Sequence, residues 1–476
     1  MKPYIHKVQY YETDKMGITH HSNYIRWMEE ARVDFMEQIG WGYDKMEECG
    51  IISPVIGVEC EYKKTTTFND RIRVEIEVKG YNGIKLTLGY IMKDIYIVAA
   101  KRTPFGKYRG FFKDASAVDM GVMALKGTLK ASGINPEDVQ ALFMGNVLET
   151  GLGENMARQV ALYSGMKESS AAVTINEVCG SSLKAVRLAQ GQMEMGDLDL
   201  VAVGGSESMT RAPYFINKED KDNPEKMTST MLNDGLMDAF SGKHMGITAE
   251  NVAEKYNVSR EEMDKFSLAS HQKAAKATEA GLLKNEILDV EIDGQVLDHD
   301  EPIRPGTSLE ALGNLKPVFK EDGQVTAGNA SPLTDGASMV ILATKEKMEE
   351  LDLTPVAKLG DFAEAGFDPA YMGYTPYFAV KKLLAKTGRS INDYDLIELN
   401  EAFAAQSIPV ARDLEIPMDK LNIMGGAISL GHPLGATGTR LISTAVNGLK
   451  NNDGKLALVT LCIGGGQAIA YEIENV

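Results

Sequence analysis

The sequence predicts an α/β fold made of two related halves, preceded by a smaller α+β segment. From residue 92 onward, apolar strand-like runs alternate with helical patterns, which is typical of a mostly buried sheet covered by helices. A faint repeat indicates two halves, because a helix start rich in small residues, followed by an apolar strand and glycines, occurs within residues 179–205 and again within 435–466. Buried central helices need such small residues for close packing.

The composition describes an ordinary globular protein that is long enough for about three domains. Its 476 residues carry a formal net charge of −17 without a basic stripe, which argues against a nucleic-acid partner. No run approaches the ~18 apolar residues of a membrane-spanning helix. The cysteines, at positions 49, 60, 179 and 462, lack metal-ligand or disulfide-scaffold spacing. We therefore expect a cytoplasmic protein with reduced thiols, no metal site and no membrane contact.

The first 91 residues are predicted to form a strand, a long helix and three further strands. Residues 8–11 are strand-like, and a polar turn follows them. Apolar residues then recur at helical spacing and predict one amphipathic helix containing Tyr24, Trp27, Met28, Ala31 and Phe35. The strand-like runs after this helix are residues 55–62, 72–78 and 85–91. The second run alternates polar with apolar residues, so one of its faces meets solvent.

This segment resembles the hotdog-fold acyl-CoA thioesterases. The resemblance lies in YETDKMGITHHSNY at residues 11–24 and EEAR at residues 29–32. It implies that Asp14 is a catalytic carboxylate and that His21 and Tyr24 line a pocket. The family normally adds at least one more long strand to close its sheet, so we expect a partial hotdog fold here.

A second domain is predicted to start at Met92 without a linker. The run at residues 93–100 is typical of a buried strand, and no stretch rich in glycine, serine or proline precedes it. A methionine at this joint favours a fusion of a truncated thioesterase to a complete second enzyme. The alternative is one integrated protein with an unusual N-terminal module.

The residues that indicate chemistry are two cysteines and a histidine, each flanked by glycine. Cys179 lies immediately before a helical pattern, and a helix N-terminus favours the thiolate form of cysteine. His432 in the sequence GHP and Cys462 in the sequence CIGGG lie far downstream. Such a set is typical of acyl-transfer chemistry, in which a thiolate exchanges one thioester for another.

Residues 92–476 resemble a thiolase of the acetyl-CoA acetyltransferase type along their whole length. The matching segments, in order, are VCGS at 178–181, HMG at 244–246, TAGNAS at 326–331, NEAFA at 400–404, GGA at 425–427, GHP at 431–433 and CIGGG at 462–466. The resemblance implies the thiolase fold, in which an N-terminal half (92–208 and 333–355) and a C-terminal half (356–476) flank a loop domain (209–332) for CoA binding and oligomerisation.

The resemblance also implies a reversible Claisen condensation of two acetyl-CoA molecules into acetoacetyl-CoA and CoA, through an acyl-cysteine. Cys179 would be the nucleophile and His432 its base, while Cys462 would remove a proton from the second acetyl group. Backbone N–H groups of Cys179 and Gly464 would face one oxyanion. His432 and a water held by Asn400 would face the enolate oxygen.

CoA thioesters would be substrate and product, with no separate cofactor and no metal. The implied CoA contacts are Ser331, His244, Phe403, Met372 and Arg304, and Arg304 would supply a local cation in this acidic chain. A structural role for His244 stays open. A homotetramer or homodimer is expected from the resemblance alone.

Other functions remain open at this stage. A 3-ketoacyl-CoA thiolase would act on longer acyl chains with the same residues. A β-ketoacyl synthase shares the fold and nucleophile but would carry histidine or asparagine in place of Cys462. The N-terminal segment would be a thioesterase acting through Asp14, or a piece without catalysis. In the second case it is an interaction module or a disordered remnant, and its open sheet edge invites aggregation or pairing.

Overall fold

The computed structural model describes residues 4–58, 60, 66–67, 71–81, 86–91 and 94–476. Contacts between Cα atoms divide the chain into two compact units. One unit consists of Met1–Ile95 and Gln190–Asp199, and the other of Tyr96–Ala189 and Leu200–Val476. The predicted domain start, Met92, lies outside the described residues. Within the described residues, no helix is both long and apolar enough to cross a membrane.

The N-terminal unit contains a small antiparallel sheet and a long helix. Its strands are β1 (Tyr4–Lys7), β2 (Arg71–Tyr81) and β3 (Leu86–Ile91), in the order β1-β2-β3, and its helices are α1 (Ser22–Gln38) and α2 (Tyr43–Glu48). The predicted long helix is confirmed as α1, which buries Trp27, Ala31 and Phe35 at helical spacing. Trp27 and Ala31 pack on Ile72 and Val74 of β2, so one helix face and one sheet face form this core.

Two strand predictions for this segment are wrong. The first strand lies at Tyr4–Lys7 instead of residues 8–11, where a 3₁₀ helix covers Tyr10–Glu12. The buried Glu12 carboxylate accepts hydrogen bonds from the Gln9 N–H (2.6 Å), Trp27 Nε1 (2.8 Å) and His6 Nε2 (2.9 Å), which bend the chain into this turn. Residues 55–58 of the predicted strand 55–62 are exposed and belong to no ladder, while 59, 61 and 62 lie outside the described residues.

The larger unit is built on one ten-stranded sheet with helices packed against it. The strands of this unit, including three short pairs outside the sheet, are β4 (Ile95–Arg102), β5 (Gly106–Lys107), β6 (Ala141–Gly145), β7 (Ala171–Ile175), β8 (Leu200–Ser208), β9 (Tyr214–Phe215), β10 (Thr228–Ser229), β11 (Met237–Asp238), β12 (Lys243–His244), β13 (Val290–Ile292), β14 (Gln295–Leu297), β15 (Thr334–Thr344), β16 (Ala357–Gly366), β17 (Leu396–Leu399), β18 (Leu456–Ile463) and β19 (Gln467–Glu474).

Eleven α-helices accompany this sheet in the described residues of the larger unit. They are α3 (Ala117–Ser132), α4 (Met156–Tyr163), α5 (Ser181–Met195), α6 (Met245–Lys255), α7 (Arg260–Glu279), α8 (Leu309–Gly313), α9 (Lys345–Glu350), α10 (Pro376–Thr387), α11 (Ala404–Asp413), α12 (Ala427–Leu430) and α13 (Thr437–Asn451). Short 3₁₀ helices at Pro369–Tyr374 and Leu434–Ala436 border the site described below.

The strand order repeats between the two ends of the sheet. The order is β17-β18-β19-β16-β4-β15-β8-β6-β7, with β5 beside β15. In the first half, β6 is parallel to β8, and β8 is antiparallel to β15. In the second half, β17 is parallel to β18, and β18 is antiparallel to β19. This repeated topology agrees with the two duplicated α/β halves predicted from the sequence.

Helix α13 is the predicted buried central helix. Every residue from Thr437 to Leu449 is buried, and the helix packs on β18 of one half and β15 of the other. Its start lies beside the start of α5, because the Thr439 N–H donates to Ser182 Oγ at 3.1 Å. A Cβ on Gly438 would lie 2.4 Å from the Leu183 nitrogen, so only glycine allows the two helix starts to approach this closely.

Candidate active site

Several polar residues follow the carboxyl ends of parallel strands. Asn400 comes directly after β17, and Cys462 is the penultimate residue of β18, which is parallel to β17. Cys179 follows β7, which is parallel to β6. Because parallel strands present their carboxyl ends at the same edge, this topology brings residues from distant parts of the chain to one region.

Cys179 occupies a tight turn two residues before α5. Val178 has φ +49°, a left-handed conformation that is unfavourable for a β-branched residue. The turn is held by the Ser181 hydroxyl, which donates to the Val178 carbonyl at 2.6 Å and accepts from the Glu177 N–H at 2.9 Å. The thiol is buried, with 4% of the residue exposed. The strained turn thus holds the sulfur at a defined position inside the protein.

Burial dominates the ionisation of Cys179. It raises the pKa of the thiol to about 12, while the backbone N–H groups of Gly464 and of Cys179 itself face the sulfur and act in the opposite direction. The negative charge of Glu207 raises this pKa further. The helix N-terminus therefore does not produce a thiolate at neutral pH, contrary to what the sequence position alone indicates, and the reaction needs a base.

His432 is held so that the lone pair of its imidazole, which would act as that base, lies on Nε2. Gly431, at φ +108°, sets the loop, and the His432 N–H donates to Thr334 Oγ1 at 2.7 Å. The Thr437 hydroxyl lies 2.6 Å from Nδ1 of His432 and 3.0 Å from the Pro433 carbonyl. Because that hydroxyl donates to the carbonyl, it accepts from Nδ1–H, and the lone pair of the imidazole is on Nε2. Burial, aided by the charge of Arg440, lowers the pKa of His432 to about 3, so the imidazole is neutral.

Asn400 lies between this imidazole and strand β18. Its Nδ2 is 3.5 Å from Nε2 of His432, and its backbone N–H donates to the Thr460 carbonyl at 3.0 Å. Thr460 is two residues before Cys462 in β18. The chain of contacts from His432 through Asn400 therefore ends beside the second cysteine.

Cys462 is fully buried and close to Cys179. Burial raises the pKa of its thiol, and negative charge on Cys179 raises it further. The two thiols therefore disfavour simultaneous ionisation. Gly464 follows in the turn after β18, where a Cβ would lie 2.5 Å from the Met245 side chain. A side chain at this position would therefore displace the end of Met245 beside the turn.

Glu207, at the end of β8, connects the loop that carries His432 to the first half. Its carboxylate accepts hydrogen bonds from Gly435 N–H (2.8 Å), Asn146 Nδ2 (2.9 Å), Val147 N–H (3.0 Å) and Leu148 N–H (3.0 Å). Burial raises the pKa of this carboxyl to about 7 in spite of these donors. A fully buried carboxylate with four donors is a strong cross-link between the two segments.

Four of the five CoA candidates are connected through one cluster. Met372 and Phe403 pack with Cys462 in the same apolar cluster. The Ser331 N–H donates to the Ala402 carbonyl at 2.9 Å, next to Phe403. His244 stacks on Phe319 at 4.5 Å, and Phe319 in turn meets the edge of Phe403.

His244 also has the structural role that the sequence left open. Its Nδ1 accepts a hydrogen bond from the Gly246 N–H at 3.0 Å and so caps α6. Arg304 lies in a different contact group, where its backbone N–H donates to His271 Nδ1 at 3.2 Å and its side chain is exposed. Its assignment as a CoA contact stays a prediction.

A cavity of about 720 Å³ borders the oxyanion side of the site. Gly464 and Val178 form part of its wall, with Met245 and Phe240. Its wall also contains three carboxylates, from Glu149, Asp234 and Asp238, among polar and apolar residues. Such a wall repels the phosphates of CoA, so the cavity suits the acyl end of a substrate better than the nucleotide end.

The thioesterase-like residues are placed in the N-terminal unit. Asp14 Oδ1 accepts from the Met16 N–H at 2.7 Å within its own turn. His21 is exposed at the start of α1, with its ring 4.1 Å from that of His20. Tyr24 is half-buried, and its hydroxyl lies 3.1 Å from Thr66 Oγ1. The catalytic assignment of Asp14 stays a prediction.

Sequence reasoning missed Thr437, Glu207 and Arg440, which touch or surround the predicted residues. Thr437 and Arg440 lie only five and eight residues after His432, at one-turn spacing on α13, and this spacing was a usable signal. Glu207 gave a weaker signal, as a carboxylate that follows shortly after the apolar run of a buried strand.

Comparisons with known proteins show the family to which the chain belongs. Residues 95–346 match the family described as "Thiolase, N-terminal domain", residues 353–475 match "Thiolase, C-terminal domain", and residues 8–106 match the "Thioesterase-like superfamily". A "Probable acetyl-CoA acyltransferase" of Staphylococcus aureus (strain COL) is 44% identical over 392 residues, which cover 81% of this chain and 100% of the relative.

Two further proteins extend the comparison. An "Acetyl-CoA acetyltransferase" of Allochromatium vinosum is 45% identical over 391 residues, covering 80% of this chain and 99% of the relative. The crystal structure of human mitochondrial 3-ketoacyl-CoA thiolase in complex with CoA has a TM-score of 0.78 and 39% identity, and the match covers 81% of this chain and 98% of that one.

Proposed function

This chain is an acyltransferase that belongs to the thiolase family, and from that premise we propose that it is an acetyl-CoA C-acetyltransferase. It condenses two acetyl-CoA molecules into acetoacetyl-CoA and CoA, or runs in reverse, through an acetyl group on Cys179. CoA thioesters are substrate and product, and no separate cofactor takes part. The observation that carries this proposal is the pair of backbone N–H groups, from Cys179 and Gly464, that face the Cys179 sulfur.

The first half-reaction acetylates Cys179. Nε2 of neutral His432 takes the thiol proton, and the thiolate attacks the thioester carbon of acetyl-CoA. The negative charge that develops on the carbonyl oxygen is stabilised by the two backbone N–H groups, which need no reorganisation. The tetrahedral intermediate collapses to acetyl-Cys179, and the CoA sulfur leaves with the proton from His432.

The second half-reaction forms the carbon–carbon bond. Acetylated Cys179 cannot ionise, so its negative charge no longer raises the pKa of Cys462 and only the effect of burial remains. Nε2 of His432 takes the proton of the Cys462 thiol, and the Cys462 thiolate then takes a proton from the methyl group of a second acetyl-CoA. The enolate oxygen faces the Nε2–H that His432 now carries and the amide of Asn400. The enolate carbon attacks acetyl-Cys179, and acetoacetyl-CoA is released as the Cys179 sulfur takes the Nε2 proton of His432.

A second candidate, a thiolase for longer 3-ketoacyl-CoA substrates, is favoured by the size of the cavity beside Gly464. About 720 Å³ exceeds what an acetyl group needs. The carboxylates of Glu149, Asp234 and Asp238 oppose a long apolar chain, since burying them against hydrocarbon costs solvation. This balance favours short acyl chains. Comparing kcat/KM for thiolysis of acetoacetyl-CoA and 3-ketooctanoyl-CoA decides between the candidates.

The test of the main proposal uses C179A, C462A and D14A in the full chain. We expect acetyl-CoA to acetylate the wild type and C462A at Cys179, detected by mass spectrometry, while only the wild type and D14A condense acetyl-CoA. Full condensation by C462A would contradict the base role and favour a β-ketoacyl synthase mechanism. Acyl-CoA hydrolysis that is lost in D14A and kept in C179A would favour the thioesterase alternative.

The cellular location and assembly are parts of the same proposal. We propose a cytoplasmic enzyme, because a thiolate catalyst must stay reduced, and a homodimer or homotetramer. The N-terminal segment, matched by the thioesterase-like family, is proposed as a fused partial hotdog domain over residues 1–91. The thiolase domains proposed for residues 92–476 are the halves 92–208 with 333–355 and 356–476, and the loop domain 209–332. The native mass of the purified protein tests both the fusion and the assembly.

A further inference from the structure

Arg440 is a fully buried cation directly behind the site. It lies on α13, and none of its side chain is exposed. Nη2 donates to Asn400 Oδ1 at 3.3 Å, and Nη1 donates to Glu398 Oε2 at 3.3 Å. The guanidinium therefore connects Glu398, which lies within β17, with Asn400, which directly follows this strand. Burying an arginine costs free energy unless a counter-charge and hydrogen-bond acceptors pair with its guanidinium.

The hydrogen-bond chemistry assigns one orientation to the Asn400 amide. A guanidinium has only donors, so the Asn400 atom that faces Arg440 must be the oxygen. Nδ2–H then faces Nε2 of His432, the nitrogen that carries the lone pair because Thr437 accepts from Nδ1–H. If the amide turned over, Oδ1 would face that lone pair and two acceptors would repel each other.

The positive charge of Arg440 acts in the same place. The positive charge of Arg440 disfavours the protonated form of the His432 imidazole, so Nε2 keeps its lone pair and is available as a base. The other ionisable groups nearby are the thiols of Cys179 and Cys462, and Glu207, which holds Gly435. The charged groups that act on Arg440 itself are Glu398, Glu286 and Glu401, which favour its positive charge, and Arg102, which opposes it. Burial raises the pKa of the Glu398 carboxyl to about 8.

We propose that Arg440 is a positioning residue for the condensation, which holds the Asn400 amide with Nδ2–H toward His432. This inference rests on the proposed function, because it assigns a role within that reaction. Arg440 makes no contact with the reacting atoms in this scheme and acts through Asn400. Its removal lets the amide rotate and misplaces the donor that the enolate oxygen needs.

A double-mutant cycle with R440M and N400A tests the proposal. We expect R440M to lower kcat for condensation by about 100-fold, as loss of an enolate donor does, with KM for acetyl-CoA changed by less than about threefold. In the N400A background the same substitution should lower kcat by less than about threefold, because the residue it positions is gone. Equal losses in both backgrounds would overturn the proposal.

The pH profile gives a readout that a merely structural role would not change. In R440M the acid limb of kcat/KM should move to higher pH, since the charge that disfavours the imidazolium is gone. In R440K the charge remains, so the limb should stay while kcat falls by about tenfold through loss of the fork geometry. If R440M does not fold, the double-mutant cycle is measured with R440K instead, in the wild-type and N400A backgrounds.

The matched control is Arg102, another fully buried arginine, which is paired with Glu286 and Asp300. R102K should lower the thermal midpoint and leave kcat within about threefold of the wild type, because it keeps the positive charge that acts on Arg440 and disturbs the hydrogen bonds to Glu286 and Asp300. A wild type without condensation would refute the proposed function itself. An active wild type with an R440M that retains its kcat would refute only the role of Arg440.

Discussion

Replacing Thr437 with valine tests the assignment of the base. Valine has nearly the shape of threonine but cannot accept the Nδ1–H of His432. In the wild type that bond is 2.6 Å long and joins two buried residues. The substitution therefore removes the group that holds the proton on Nδ1 and leaves the surrounding packing in place.

The size of the effect follows from the burial of this contact. A buried donor left without an acceptor costs about 1–3 kcal/mol. That cost disfavours the tautomer with the lone pair on Nε2. Because a factor of ten in population corresponds to about 1.4 kcal/mol, the population of this tautomer falls by about 5- to 150-fold. The rate at which His432 deprotonates Cys179 should fall by the same factor.

The assay is the acetylation half-reaction in a single turnover. Formation of acetyl-Cys179 is followed after mixing T437V with excess acetyl-CoA, so the later carbon–carbon step does not enter. T437S is the matched control, because it keeps the hydroxyl and should acetylate at close to the wild-type rate. The reasoning is refuted if T437V acetylates as fast as the wild type, or if T437S loses as much as T437V.

Two further predictions concern the buried carboxyl and imidazole groups. In E207Q the amide offers one oxygen to four donors, so at least two lose their acceptor, and we expect a loss of about 2–6 kcal/mol in stability and slower acetylation; an unchanged thermal midpoint would contradict this. Burial, with the charge of Arg304, lowers the pKa of His271 to about 4. Below pH 6.5 the unfolded chain therefore binds a proton that the folded chain does not, and stability falls between pH 6.5 and 4 by about 3 kcal/mol at about 1.4 kcal/mol per pKa unit. H271N keeps an acceptor for the Arg304 N–H and should reduce this acid sensitivity, measured as the difference in thermal midpoint between pH 7 and pH 5; equal differences in the variant and the wild type would argue against it.

The larger fold could be predicted because its patterns are local. The runs that became β18 and β8 are continuous and apolar, as strands buried on both faces are, and α13 begins with the small residues of a central helix. The predicted strands at residues 8–11 and 55–62 were wrong where the structure describes them. A strand also needs a partner, and the pairing of Tyr4–Lys7 with β2 and the hydrogen bonds to buried Glu12 were not visible in local periodicity.

Short motifs in the sequence supply the candidate residues for the proposed chemistry, which are two cysteines, a histidine, an asparagine and a glycine. The ionisation and orientation of these side chains depend on the packing of the folded chain. Cys179 lies just before a helix, a position that favours a thiolate, yet burial raises the pKa of its thiol to about 12. Desolvation, hydrogen-bond partners and distant charges come from residues far apart in the chain, such as Glu207 and Gly464 around Cys179. For this reason the motifs indicate the candidate reacting groups, and the packing around them sets which group carries the proton.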